Sequence, residues 1–173
     1  MTIHSEHPFV PPDSERAPVR RLRGRLGGGV SLWTTGSGGD RAGLTVSSLM
    51  VADGDPGCVL ALLDPDSDLW EGLLERRTAV VQLLGWEHRG IADAFAGVAP
   101  APGGAFRMAP WEQTEWGPLL AGTTAWAGVR LVEGRAREVG WSILAETVLE
   151  HVRIGAEQAP LVHRRGRYVR PAD

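Results

Sequence analysis

Hydrophobic and hydroxyl-bearing residues alternate in one segment of the chain with the two-residue period of a β-strand. In residues 41–50, Leu44 and Val46 would face one side of such a strand, and Thr45 and Ser47 the other. The pattern predicts one continuous strand with an apolar face and a hydroxyl-bearing face. It is either an ordinary edge strand or one that offers hydroxyl and backbone N–H groups to a polar or anionic ligand.

Further strands and three short helices are predicted around this segment, from apolar runs between turn residues and from apolar residues at helical spacing. The predicted strands cover residues 30–35, 58–63, 79–84, 124–133 and 138–151, with a terminal hairpin over 160–170. Two of the predicted helices cover residues 18–26 and 89–96, and the one between them ends at Arg76 and Arg77. In the second helix, Asp66 or Ser67 would be the N-cap, and Leu69, Trp70, Leu73 and Leu74 would be buried. The aromatic segment 106–116 is predicted to be an irregular lid or wall.

The predicted strands are joined mostly by short turns, which favours an antiparallel barrel over a parallel sheet. No G-x-G-x-x-G sequence opens a helix after a strand, so a Rossmann dinucleotide site is disfavoured. We therefore expect a mainly β fold with a few short peripheral helices. The length of 173 residues fits one domain over residues 18–173, preceded by a flexible arm over residues 1–17 that carries His4 and His7.

The charged residues narrow the range of functions. The net charge is -3 and all 18 basic residues are arginine, so neither general nucleic-acid binding nor lysine-based Schiff-base chemistry is expected. Any phosphate would be held by arginine, hydroxyl or backbone N–H groups. One cysteine, Cys58, excludes an intramolecular disulfide. No segment has the character of a membrane span or signal peptide, so we expect a cytoplasmic protein without membrane contact.

The chain offers little catalytic machinery of its own. The five histidines lack metal-ligand spacing, and no G-x-S-x-G nucleophile elbow is present. No pair of acids has an obvious acid–base arrangement, and neither a metal site nor a catalytic side chain is predicted. This pattern suits a protein whose reactivity belongs to a bound cofactor.

Several short motifs occur in one order along residues 22–170. They are G-L-T-V-S-S at 43–48, V-V-Q-L-L at 80–84, E-H-x-x-I-A at 87–92, F-A-G at 95–97, P-L-V at 160–162 and G-R-Y at 166–168. Together they resemble the flavin reductase-like family, whose fold is the FMN-binding split β-barrel with Greek-key topology. The resemblance implies a homodimer with FMN, or alternatively FAD, in a groove near the subunit interface. It also implies NAD(P)H as co-substrate and a monooxygenase partner that receives reduced flavin.

The resemblance also assigns cofactor-binding residues, motif by motif. Those along the isoalloxazine and ribityl chain are Thr45, Val46, Ser47 and Ser48. Those near the phosphate are Leu63, Asp64 and Ser67. Those on the far side of the flavin are His88, Ala94, Phe95 and Ala96. A flavin site needs a flat apolar slot and hydrogen-bond donors for the ring and phosphate, which hydroxyl and backbone N–H groups can supply.

Two departures from the family pattern leave alternatives open. Ala94 stands where an arginine commonly precedes F-A-G, so either Arg89 or Arg41 substitutes for it or phosphate binding is weaker. Gly140-Trp141-Ser142 stands where many reductases carry G-D-H, with its histidine near the nicotinamide. Trp141 would then either stack on a ring or serve in packing. The chain is accordingly an NAD(P)H-dependent flavin reductase, a flavoprotein without that activity, such as a carrier, sensor or oxygenase-associated protein, or an interaction module that binds no flavin.

Overall fold

The alternating segments of the sequence form antiparallel strands in the computed structural model, which describes residues 17–171. The predicted arm over residues 1–17, including His4 and His7, lies outside the described residues except for Ala17. The strands are β1 Gly28–Gly29, β2 Ser31–Thr35, β3 Ala42–Val46, β4 Leu49–Ala52, β5 Cys58–Leu63, β6 Thr78–Leu83, β7 Trp111–Gln113, β8 Pro118–Leu120, β9 Ala125–Leu131, β10 Arg137–Val139, β11 Ser142–Ile154, β12 Val162–Arg164 and β13 Arg167–Val169. The α-helices are α1 Pro18–Leu26, α2 Asp68–Arg76 and α3 Arg89–Phe95.

The main sheet is a curved antiparallel one that runs in the order β3-β2-β6-β9-β11-β5-β4, with β10 added beside β11. Its two edge strands, β3 and β4, follow each other in sequence and are joined only by Ser47 and Ser48. The sheet therefore curls until its edges meet at this junction without pairing there. Trp33, Leu63 and Val129 are fully buried inside the curl. This arrangement confirms the predicted mainly β, split-barrel fold with few short helices.

The prediction of one continuous strand over residues 41–50 is wrong. β3 ends at Val46, and the chain then leaves β2 and turns toward β5. The Ser48 carbonyl accepts a hydrogen bond from the Leu62 N–H at 2.9 Å, and Leu49 pairs with Ala61. The chain therefore breaks at the two serines because its halves pair with strands at opposite edges of the sheet.

The predicted strand over residues 138–151 is also interrupted. Gly140 adopts a φ of 59°, in the left-handed region that glycine tolerates, and the turn there separates β10 from β11. Strand β11 then continues to Ile154, with an irregularity in its pairing with β9 between Leu149 and His151. The side chain of Trp141 sits at the tip of this hairpin.

Helix α2 closes one side of the curl. Ser67 is its N-cap, since the Trp70 N–H donates to Ser67 Oγ at 3.2 Å, as one of the two predicted caps. Leu69 and Leu73 are fully buried, whereas the expectation that Leu74 is buried is wrong, because it is 48% exposed on the outer face of the helix.

A second core lies under α3 and contains the aromatic segment predicted to be a wall. Phe95, Phe106 and Trp111 pack edge to face, with ring centroids 4.9 to 5.7 Å apart. The small sheet β1-β12-β13 borders this core through the fully buried Leu161. Among residues 17–171, no helix has the length and apolar character needed to cross a membrane.

Candidate functional site

The junction between the two edge strands is the centre of the candidate site. Ser47 is exposed there, while Ser48 is partly covered. On one side lies strand β1: a Cβ atom added to Gly28 would stand 3.1 Å from the Ser47 carbonyl oxygen. A Cβ added to Gly29 would meet nothing within 4 Å. The two glycines therefore let the backbone approach the junction and leave open space beside it.

Helix α3 forms a second wall of the site. Thr45 Oγ1 donates to the Ala92 carbonyl oxygen at 2.7 Å. A Cβ added to Gly43 would stand 2.7 Å from Phe95 Cε1, so the ring lies directly on the strand backbone. These two contacts bring the predicted residues of β3 together with those at the end of α3, where Ala96 is exposed and Ala94 is half-buried.

The side chains of the predicted ring-binding residues point in different directions. Val46 and Leu63 belong to the main core, at 3% and 0% exposure, so only their backbone can meet a ligand. The Thr45 hydroxyl is engaged by α3, and the hydroxyl of Ser47 is the exposed one. The alternation seen in the sequence therefore separates a core face from a face toward α3.

The Asp64–Ser67 turn stands near the junction, because Leu62 bonds to Ser48. Its polar groups are already engaged: Ser67 Oγ donates to the Asp64 carbonyl oxygen at 2.7 Å, and the Asp66 N–H donates to Asp64 Oδ1 at 2.9 Å. Asp64, Asp66 and Asp68 are all exposed. Three carboxylates make this turn an unfavourable neighbour for a phosphate, although α2 begins here.

His88 lies at the start of α3. Its Nδ1 accepts a hydrogen bond from the Gly85 N–H at 3.0 Å, which requires a neutral imidazole. Burial lowers the pKa of His88 from its ordinary value, although the adjacent Glu87 carboxylate acts in the opposite direction. His88 therefore holds the loop before α3 and carries no positive charge at neutral pH.

Neither arginine predicted to replace the missing one is free at the junction. The Arg41 guanidinium stacks 4.7 Å from the Phe106 ring centroid, and its Nε donates to the Gly38 carbonyl oxygen. The Arg89 guanidinium lies 4.3 Å from the Trp86 ring centroid and donates to the Trp86 carbonyl oxygen. Both cations support the walls of the site through cation–π contacts.

Sequence reasoning missed a group of exposed arginines on α1 and the β12–β13 hairpin, which borders the junction through β1. The β12–β13 turn packs on α1, since the Arg165 N–H donates to the Gly24 carbonyl oxygen at 2.8 Å. The group, called the basic face below, consists of the exposed residues Arg20, Arg23, Arg25, Arg164 and Arg170. Its signal in the sequence is that residues 17–29 and 159–171 hold eight arginines and no acidic residue.

Trp141 takes no part in packing within the described chain. Its indole is 94% exposed. The register places it near the junction, because Ile143, two residues on, pairs with Leu63, and Leu62 bonds to Ser48. The packing alternative for Trp141 is therefore wrong for the single chain.

Two open hollows lie away from this site. The larger, about 590 Å³, is lined by residues 51–57 and 149–152 at the far end of β4 and β5. The smaller, about 260 Å³, lies beside β8 and the end of β11. The candidate site is instead an open groove in a single chain, bounded by β1, α3 and the end of β5.

Comparison with known proteins bears on what this groove does. The family model described as "Flavin reductase like domain" matches residues 23–172. A curated relative, an FMN reductase (NADH) RutF 1 of Methylorubrum extorquens, is 29% identical over 165 residues, which are 95% of this chain and 80% of the relative.

Solved structures share the fold. The NADH:FAD oxidoreductase SgcE6 of Streptomyces globisporus superposes with a TM-score of 0.80 at 24% identity, covering 94% of this chain and 96% of that one. The styrene monooxygenase flavin reductase SMOB of Pseudomonas putida superposes with a TM-score of 0.77 at 20% identity, covering 90% and 98%. The family match spans nearly all of the described residues and includes every element of the groove, so the chain belongs to the flavin reductase-like family.

Proposed function

We propose that this protein is an FMN-binding flavin reductase that takes a hydride from NAD(P)H. The observation that carries the proposal is the open junction at Ser47 and Ser48, where two unpaired sheet edges meet beside a glycine strand and an aromatic-backed helix. The relative named FMN reductase (NADH) supports flavin as substrate and NADH as donor.

The residues at the junction fit a flavin. Strand β3 is an edge strand, so its outer backbone groups are not used by the sheet. Gly29 leaves room for a ring to approach the backbone, and the exposed Ser47 hydroxyl can donate or accept a hydrogen bond. Backed by the buried Phe95, these groups form a slot with an apolar wall and polar edges.

A flavin bound at the junction would supply the redox chemistry, by accepting a hydride from a reduced nicotinamide. The chain's own contribution is to orient the two rings and to exclude water from between them. Phe95 and Gly43 hold α3 against β3, which fixes the slot. Trp141 is exposed on its hairpin near Leu63, which supports our proposal that it covers one ring face by stacking.

We further propose that the protein is a homodimer that supplies reduced flavin to a monooxygenase. The fold shared with the styrene monooxygenase flavin reductase supports the oxygenase partner. The dimer is supported by α1, whose apolar residues Val19, Leu22 and Leu26 are 66 to 79% exposed. Such a stripe on a short helix is expected to be covered by another chain.

A second candidate function is a flavoprotein that binds FMN without oxidising NAD(P)H. The observation in its favour is the segment Gly140-Trp141-Ser142, which stands where many family members carry G-D-H and which contains no histidine. In that case the protein would serve as a flavin carrier or sensor, or in association with an oxygenase.

Anaerobic titration of the FMN-loaded protein with NADH and with NADPH distinguishes the two functions. We expect the visible flavin absorbance to bleach with at least one donor, faster than free FMN does with the same donor. A flavin band that persists with both donors would contradict the reductase and favour the carrier. Failure to retain FMN, together with no quenching of tryptophan fluorescence, would contradict both and leave a domain that binds other proteins.

A further inference from the structure

Charge is distributed very unevenly in this chain. The segments that form α1, β1 and the β12–β13 hairpin contain eight arginines and no acidic residue, whereas residues 30–158 contain nine arginines and 17 acidic residues. A protein with a net charge of -3 therefore carries one strongly positive surface on an otherwise negative body. Such a surface concentrates anions near it.

The basic face reaches the candidate flavin groove at Arg164. The Arg164 side chain would be 3.8 Å from a Cβ on Gly27, and the following residue, Gly28, borders the Ser47 carbonyl oxygen. Tyr168 joins the same hairpin to α3, since its phenol interacts with Asp93; burial and this carboxylate both raise the pKa of Tyr168. Hairpin, helix and junction are thus parts of one surface.

The arginines of the basic face are available to an outside ligand. Along residues 17–171, no ion pair with an acid engages Arg20, Arg23, Arg25, Arg164 or Arg170. By contrast, the turn at the other side of the junction and the first residue of α2 together present three exposed carboxylates. An anionic group on a ligand in the groove is therefore drawn toward the hairpin and repelled by the turn.

We propose that the basic face binds the phosphate of the flavin nucleotide and so selects FMN over riboflavin. The proposal rests on the proposed function and reassigns the phosphate end from the Asp64–Ser67 turn to α1 and the β12–β13 hairpin. Guanidinium groups suit this task, because they form paired, charge-assisted hydrogen bonds to phosphate oxygens. The ring would then lie at the junction, with the phosphate toward Arg164.

The test compares two ligands that differ only in the phosphate. Dissociation constants for FMN and riboflavin are measured by tryptophan-fluorescence quenching for the wild type, for the double variant Arg25→Gln/Arg164→Gln, and for Arg135→Gln. Arg135 is exposed in the β9–β10 turn and serves as the control. KM for NADH is measured in parallel, which separates the flavin phosphate from the phosphates of the donor.

We expect the wild type to bind FMN at least about tenfold more tightly than riboflavin, with a ratio that falls as salt is raised. The double variant should lose most of this ratio through weaker FMN binding alone, with riboflavin affinity and KM for NADH unchanged. Arg135→Gln should keep the ratio.

Equal wild-type affinity for FMN and riboflavin would overturn the proposal and leave the reductase function intact. The same holds for a double variant that weakens both flavins alike, which would indicate a structural role for the two arginines. An effect confined to KM for NADH would assign the basic face to the donor and also overturn the proposal. If neither flavin binds to the wild type, the proposed function and this inference fail together.

Discussion

Two hydroxyl residues of the G-L-T-V-S-S motif have separate tasks. Thr45 Oγ1 donates to the Ala92 carbonyl oxygen and thereby holds α3 on β3, while Ser47, two residues on, exposes its hydroxyl at the junction. Thr45 therefore acts on a ligand through the position of α3, and Ser47 can contact it directly. Ser67 resembles Thr45 in this respect, because its hydroxyl caps α2.

His88 links the loop before α3 to a specific protonation state. Its Nδ1 accepts the Gly85 N–H, so protonation breaks this bond and leaves a half-buried cation. Burial lowers the pKa of His88 below its ordinary value of 6.5 in the folded state. The unfolded chain therefore binds more protons just below pH 6.5, and stability falls as the pH decreases through that window.

We predict that His88→Gln reduces the acid sensitivity of the fold. Between pH 7.5 and 5.5, the melting temperature of the wild type should fall by about 1–2 °C more than that of the variant. Differential scanning calorimetry at both pH values measures this difference, with His151→Gln as control. If the melting temperature of the variant falls as steeply as that of the wild type, His88 does not cause the loss of stability at acid pH.

At the scale of elements, α1 is the helix that is held least by contacts within its own chain, since none of its residues is buried. Gly24 faces the β12–β13 turn, where a Cβ would lie 3.4 Å from the Arg165 Cα atom. Val19, Leu22 and Leu26 lie on the opposite face and are exposed. At nine residues, an isolated helix of this length is marginal in water, so its apolar stripe needs a covering surface.

We predict that Leu22→Asp weakens dimerisation, because a carboxylate would be buried in the interface. The wild type should sediment as a dimer, and the variant should shift toward monomer at the same concentration with an unchanged far-UV circular dichroism spectrum. Leu74→Asp, on the outer face of α2, is the matched control and should remain dimeric. A monomeric wild type, or a dimeric Leu22→Asp variant, would contradict the assignment.

Local pattern predicted most elements because each has its own strong periodicity or cap, as in β5 and in α2 with Ser67. It failed at residues 47–48, where Ser48 interrupts the alternation but does not show that the chain changes partners, and at Gly140, where the alternation continues through a turn. The break at residues 47–48 depends on the hydrogen bond between Leu62 of β5 and Ser48. The break at Gly140 depends on the pairing of β10 with β11. Both contacts are made with another strand and are not encoded in the local pattern.

The candidate site was predicted in outline, since the G-L-T-V-S-S and F-A-G motifs do meet through Gly43 and Phe95. The directions of their side chains were not predicted, because Thr45 and Val46 are oriented by α3 and by the core. Segments 17–29 and 159–171 lie far apart in sequence, and only the fold brings their arginines together.

At the scale of the whole molecule, the sheet has two edges that meet but do not pair. β3 and β4 are held together by a two-residue connection and by packing on shared core residues, with no ladder of hydrogen bonds between them. A ligand at Ser47 and Ser48 contacts both edges at once. Its binding should therefore stabilise the entire sheet rather than one loop.

At about one hundred times its dissociation constant, FMN should stabilise the folded state by about 2.7 kcal/mol and raise the melting temperature by about 5–10 °C. Ser47→Leu should abolish the shift, because a branched apolar side chain fills the slot, while its melting temperature without FMN matches the wild type. Ser37→Leu, at an exposed turn away from the junction, should keep the shift. A Ser47→Leu variant that still responds to FMN would place the flavin elsewhere on the sheet.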